Sequence, residues 1–204
     1  MKHAKKKHTV ISAAVLAIVA TAAVACSSSS HTAAPAPSPT HTPSSPAGTD
    51  SPNSLTTGSQ VTGLFQAGLT QMANKKWSAA TTSFQNVLAI SPGNLYANYD
   101  LGVVAQATGH YSEAISYYNK SLAVNAAYQP ALYNEAILLE SSHPQQAIAM
   151  YQKVVTIDPK AATAFLRLAV VQAEQGDSTD AKANDAKAIS IDPALSKDKL
   201  PAKS

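Results

Sequence analysis

The strongest constraint on this chain is a period. From Val61 to Leu195 the sequence repeats every 33 or 34 residues, in four units spanning 61–94, 95–128, 129–161 and 162–195. A period of this length marks a supersecondary unit that cannot bury its apolar face alone and must stack on copies of itself. Two columns of each unit hold small residues: Gly68, Gly102, Ala136 and Ala169 in the first, Ala80, Ala114, Ala147 and Ala181 in the second. Small side chains at both positions let two helices cross closely. A ring four residues after the second column (Phe84, Tyr118, Tyr151) then wedges into the contact. Pro92, Pro159 and Pro193 close three units and stop the second helix from running into the next one. The expected fold is all-α, an array of helix-turn-helix pairs sharing one apolar spine.

The second unit carries the pattern most fully, with Asn98, Leu101, Gly102, Tyr111, Ala114, Tyr118 and Leu122. It resembles the tetratricopeptide repeat family, and the resemblance covers residues 61 to 195. The resemblance implies a right-handed α-solenoid of about four repeats. It also implies that the first helix of each unit lines a concave groove for peptides or partner helices. The matching positions are Phe65, Leu69 and Met72; Tyr96, Tyr99 and Val103; Tyr133, Ile137 and Glu140; and Leu166 and Val170. Leu69, Val103 and Ile137 are equally suited to the core. This lining is apolar and aromatic. The Lys and Asn columns of the subgroup that clamps an acidic C-terminus are filled here by Phe65, Leu69, Tyr99 and Val103, so an apolar or amphipathic segment is the expected occupant.

Four places depart from the pattern. Ala126 replaces the closing proline of the second unit, which predicts a more continuous junction there. Glu135 takes a column usually filled by Leu, implying either an exposed carboxylate at a loosened contact or a local slip of register. The third unit is one residue short in its internal turn, where Ser142, Pro144 and Gln145 read as N-cap, first-turn proline and capping-box partner. Asp185 stands where the other units have a ring, as suits a solvent-facing end, and residues 196–204 read as a Lys-rich tail too short for a capping helix.

Ahead of the repeats lie two segments of different composition. Residues 1–25 read as a signal peptide: Lys2, Lys5, Lys6 and Lys7 precede the largely Ala, Val and Ile stretch Thr9–Ala25, which ends in small residues directly before Cys26. Small residues before a lone cysteine resemble the bacterial lipoprotein signal, although Ala23 stands where Leu is preferred. That resemblance implies cleavage before Cys26 and acylation of its thiol. Retention as an uncleaved anchor and cleavage without lipidation are the alternatives, and all three place the remainder outside the cytoplasm. Residues 26–60 read as a disordered linker rich in Ser, Thr, Pro and Ala, with six of the twelve prolines and Asp50 as its one charge. At a reach of roughly 30–100 Å it would act as a tether, and its hydroxyls are compositional candidates for O-linked sugars. His31 and His41 fall in this segment and read as solvated.

Composition then excludes several classes. All four leader lysines are counted in the +3 net charge, and residues 26–204 carry eleven basic against twelve acidic groups, too few cations for nucleic-acid binding. One cysteine forms neither an intramolecular disulfide nor a Cys-rich metal site. His110 and His143 are placed at internal turns, Trp77 at the start of a second helix packing inward, and no triad, phosphate loop or metal spacing is present. No enzymatic activity, cofactor or metal is expected. The expected function is an exported, lipid-anchored scaffold at the bacterial cell envelope that binds a protein or peptide in its groove. A small-ligand, lipid or glycan-binding accessory protein and a self-associating structural protein are the alternatives.

Overall fold

The computed structural model describes residues 52–198 and Leu200, with side chains from Thr57 onward. Residues 1–25, read above as a signal peptide, Cys26, residues 26–51 of the segment read as a linker, and the last four residues lie outside the described part. Eight α-helices occur among the described residues, with no strand: α1 Pro52–Ala73, α2 Trp77–Ile90, α3 Leu95–Ala107, α4 Tyr111–Val124, α5 Gln129–Leu139, α6 Pro144–Ile157, α7 Ala162–Glu174 and α8 Ser178–Ile191. Each packs against the helix before and after it, giving four antiparallel hairpins stacked in chain order as a helical solenoid. None is long and apolar enough to cross a membrane.

The two small-residue columns meet as their volumes require. A Cβ placed on Gly68 would stand 2.5 Å from the ring of Phe84, and one on Gly102 would stand 2.5 Å from the ring of Tyr118. In these two hairpins glycine is what admits the ring into the crossing, whereas in the third Ala136 shares a buried cluster with the ring of Tyr151. Phe84, Tyr118 and Tyr151 are completely buried, as are Ala80, Ala114 and Ala147. A side chain near the internal turn ties the two helices of each hairpin together. The Ser83 hydroxyl donates to Gln71 Oε1 (2.8 Å), the Tyr118 hydroxyl to Gln106 Oε1 (2.6 Å), the Tyr151 hydroxyl to Glu140 Oε1 (2.6 Å) and Asn184 Nδ2 to Gln172 Oε1 (2.7 Å).

The internal turns explain why one unit is shorter. Three of them place one residue in the left-handed region: Lys75 (φ 56°), Gly109 (φ 80°) and Gly176 (φ 88°). In each, the next N–H reaches back five residues to a helical carbonyl: Lys76 to Gln71, His110 to Ala105 and Asp177 to Gln172. This closes the helix end and satisfies carbonyls that would otherwise lack partners. The third turn has no left-handed residue, and His143 N–H instead donates to Leu139 four residues back, at 2.7 Å. The residue missing from the third unit is thus the left-handed one, and a simpler turn replaces it.

Several local expectations are corrected. Helix α1 begins at Pro52, so residues 52–60, read as the end of the disordered linker, are helical; proline is well suited to a first turn, where its missing N–H would have had no partner. The N-cap of α6 is His143 and not Ser142, whose hydroxyl instead shares a 3.0 Å hydrogen bond with His143 Nδ1. The α4–α5 junction is no more continuous for lacking proline. Asn125 ends α4, and its Oδ1 accepts from the Ala127 N–H at 3.0 Å to make the turn. Glu135 is neither exposed nor out of register. It is 3% exposed in the column that holds buried Leu101 and Leu168; Asn119 Nδ2 donates to its Oε1 (2.9 Å), and Oε2 has no partner. Asp185 is half-buried and not solvent-facing, with Oδ1 closed off and unpartnered. Beyond it a 3-10 turn, Pro193–Lys197, folds back on α8 and buries Leu195, so the segment read as a tail from residue 196 begins inside this turn.

Candidate partner-binding face

The first helices of the hairpins, α1, α3, α5 and α7, touch one another through side chains along one face of the array. The Phe65 ring meets Tyr96 edge-on at 6.4 Å, joining α1 to α3. Asn134 Nδ2 donates to the Tyr99 hydroxyl at 3.1 Å, joining α3 to α5. Arg167 Nε lies 3.1 Å from Glu140 Oε1, joining α5 to α7. Each junction therefore has its own link, aromatic at one end of the array and ionic at the other.

All eleven residues expected to line the groove are half-buried: none is sealed and none stands free in solvent. Phe65, Leu69 and Met72 pack on the buried cluster around Phe84 and Leu101. Tyr99 and Val103 pack on the one around Tyr118, and Tyr133 and Ile137 on the one around Tyr151 and Leu168. Leu69, Val103 and Ile137 thus serve the core while keeping part of their surface open. Tyr96 carries the aromatic contacts, Glu140 the ion pair, and Leu166 and Val170 continue the row on α7.

The aromatic part is denser than the spacing suggested. Tyr128, the residue immediately ahead of α5, contributes no capping hydrogen bond from its side chain. Its ring instead stands nearly perpendicular to both Tyr96 (6.0 Å, 78°) and Tyr99 (5.3 Å, 86°). The equivalent residue of the first unit, Asn94, does cap the helix that follows it, accepting from the Ala97 N–H at 2.9 Å. A cap has been exchanged for a ring. Edge-to-face pairs of this kind are worth about 0.5–1.5 kcal/mol each beyond the area they bury.

Sequence reasoning also missed a polar column. Gln66, Asp100, Asn134 and Arg167 each follow a lining residue, and polarity at this position in all four units, amid apolar neighbours, was the available signal. Asn134 and Arg167 make the junction links described above. Asp100 is 6% exposed, and burial pushes its carboxyl up to about 8. Burial likewise raises the phenols of Tyr99, Tyr118 and Tyr128, keeping them neutral. Burial also raises the Glu140 carboxyl, against the hydrogen bond from Tyr151 and the charge of Arg167. At Arg167 burial works against the charge, but Tyr151 and Glu140 outweigh it and the guanidinium is held more firmly protonated. The lining is therefore not purely apolar.

Two open recesses, of about 480 and 420 Å³, lie away from the eleven residues, the first beside Trp77 and Tyr117 and the second beside Leu64 and Ile90. Among the described residues no three His, Cys, Asp or Glu side chains are grouped to share a metal ion.

The family profile described as Tetratricopeptide repeat matches residues 71–134 and 138–183, more than half of the chain. The chain belongs to the tetratricopeptide repeat family. Solved structures of other tetratricopeptide proteins share its fold. MamA is 22% identical, with a TM-score of 0.62 over 71% of this chain and 86% of that one. YrrB, described as a TPR protein with an unusual peptide-binding site, is 23% identical, with a TM-score of 0.58 over 67% of this chain and 71% of that one. The first TPR of Spaghetti (RPAP3), bound to an HSP90 peptide, is 16% identical, with a TM-score of 0.55 over 58% of this chain and 94% of that one. No curated protein matches the chain.

Proposed function

We propose that this tetratricopeptide chain is a noncatalytic scaffold that binds a protein or peptide partner along the row formed by α1, α3, α5 and α7. The observation that carries the reading is the row itself: eleven half-buried, mostly apolar or aromatic side chains, pinned from helix to helix by a link at every junction. Side chains held this firmly lose little rotamer freedom when a partner covers them, so more of the burial energy becomes affinity. That two proteins of the same fold are described with a peptide-binding site or a bound peptide supports the choice of partner class. The leader and spacer support the rest: export, acylation of Cys26 and display of the scaffold at the outer face of the membrane on a tether.

The test is photocrosslinking in intact cells. A photoreactive residue at Val103 or Leu166, on the first helices, is expected to capture a partner. The same residue at Tyr111 or Ile157, exposed on second helices, is expected to capture none. The reverse pattern would refute the assignment of the face. For the anchor, Cys26→Ser is expected to release the protein from the membrane or to block its maturation. Unchanged retention with an uncut leader would instead point to an anchor formed by residues 9–25.

A further inference from the structure

Asp100 differs from the two half-buried members of its column that follow it, Asn134 and Arg167, and from the exposed Gln66. Asn134 is bonded to Tyr99 and Arg167 is paired with Glu140, whereas Asp100, more than nine-tenths buried, has no hydrogen-bond or ion-pair partner among the described residues. Phenols from three elements face it electrostatically: Tyr99 on its own helix, Tyr118 on α4 and Tyr128 ahead of α5. Burial raises its carboxyl, and no Lys, Arg or His among the described residues forms an ion pair with it. Its oxygens are not among the polar atoms sealed from solvent without a partner, so the carboxyl keeps a narrow opening through which a ligand group can reach it. The rings beside it stand nearly at right angles, Tyr128 against Tyr99 at 5.3 Å and 86°. Aromatic faces set around a carboxyl suit a cation, which the rings attract through their quadrupoles and the carboxylate through its charge.

We propose that the partner bound on this face places a lysine or arginine side chain against Tyr99 and Tyr128, with its charge paired to Asp100. This rests on the partner-binding reading above and specifies what that partner must carry. A cation arriving at this carboxyl favours its ionised form. Binding therefore expels a proton wherever the free protein holds one, and strengthens as pH rises toward about 8.

Selection of a displayed library of random 12-residue peptides on the full chain tests this, with Asp100→Asn selected in parallel and its fold checked by thermal melting. The wild type is expected to enrich peptides with Lys or Arg at one fixed position among apolar residues. Asp100→Asn is expected to bind those peptides at least tenfold more weakly while still binding others. Enriched peptides without a fixed basic residue, or with one that Asp100→Asn binds equally well, would overturn the cation site and leave the groove standing. No enrichment at all would overturn both. As a second reading, the carbon-13 carboxyl signal of Asp100 is expected to titrate at lower pH once an enriched peptide is bound. An unchanged midpoint would overturn the proposal even if peptide binding were strong.

Discussion

The second and fourth hairpins have the same plan and opposite interiors. In α3–α4, Gly102 admits the fully buried ring of Tyr118, whose hydroxyl is tied to Gln106. In α7–α8 the same two positions are Ala169 and Asp185, and a carboxylate oxygen lies buried without a partner where a phenol would have been. The tie near the turn survives the change, carried by Asn184 and Gln172. The backbone path of a hairpin therefore follows from its small columns and its turn. What fills the crossing differs: a buried ring in one hairpin, a carboxylate in the other.

The largest expected effect comes from emptying that crossing. Tyr118→Ala should cost about 3–5 kcal/mol in chemical denaturation, as large core deletions do, whereas Asp185→Ala should cost little. Equal losses would erase the contrast between the two hairpins. Next comes Asp100→Asn. The unfolded carboxyl titrates near 3.8 and the folded one near 8, so between those values the native state holds a proton that the unfolded state has lost. Wild-type stability from this group therefore falls as pH rises from about 4 to about 8, and stays low above that. At the upper end the variant should be the more stable, on the order of 2–4 kcal/mol once relaxation of the buried carboxyl is allowed for. Parallel melting curves at both ends of the range would show that the carboxyl is not buried in this way.

Gly102→Ala should destabilise by about 1–3 kcal/mol, because its methyl meets a ring that has nowhere to move. Guanidinium unfolding would measure it, and a neutral outcome would mean that the crossing opens easily. Asp185→Leu should stabilise by about 1–2 kcal/mol by removing a buried oxygen with no partner. A fall in melting temperature would show that the carboxylate has a partner in solution.

What the sequence revealed was whatever depends on volume at a fixed spacing. The glycine and alanine columns, the rings of Phe84, Tyr118 and Tyr151, and the helix pairs they imply could be read because a backbone crossing tolerates few side-chain sizes. Glu135 could not be read correctly: its column said buried and its charge said exposed, and the deciding fact was Asn119 on the preceding helix, sixteen residues away. Tyr128 was hidden by standing outside any helix, at a position defined by capping and used here for its ring. The cap of α6 was misplaced because the third turn dispenses with its left-handed residue, which moves the start of the helix relative to the Ser142 motif. Lys75 likewise adopts a backbone conformation that its side chain does not advertise. Of the candidate face, the apolar anchors were legible from their register. The polar column was not, because its meaning lies in pairings between different repeats.

The uneven filling of the crossings has a mechanical corollary. A chain pulled from its two ends should not give way uniformly. The α7–α8 pair, lacking a ring to shear past, would peel away at low tension and leave three locked pairs carrying the load, so a single-molecule trace should begin with one weak rupture before the strong ones.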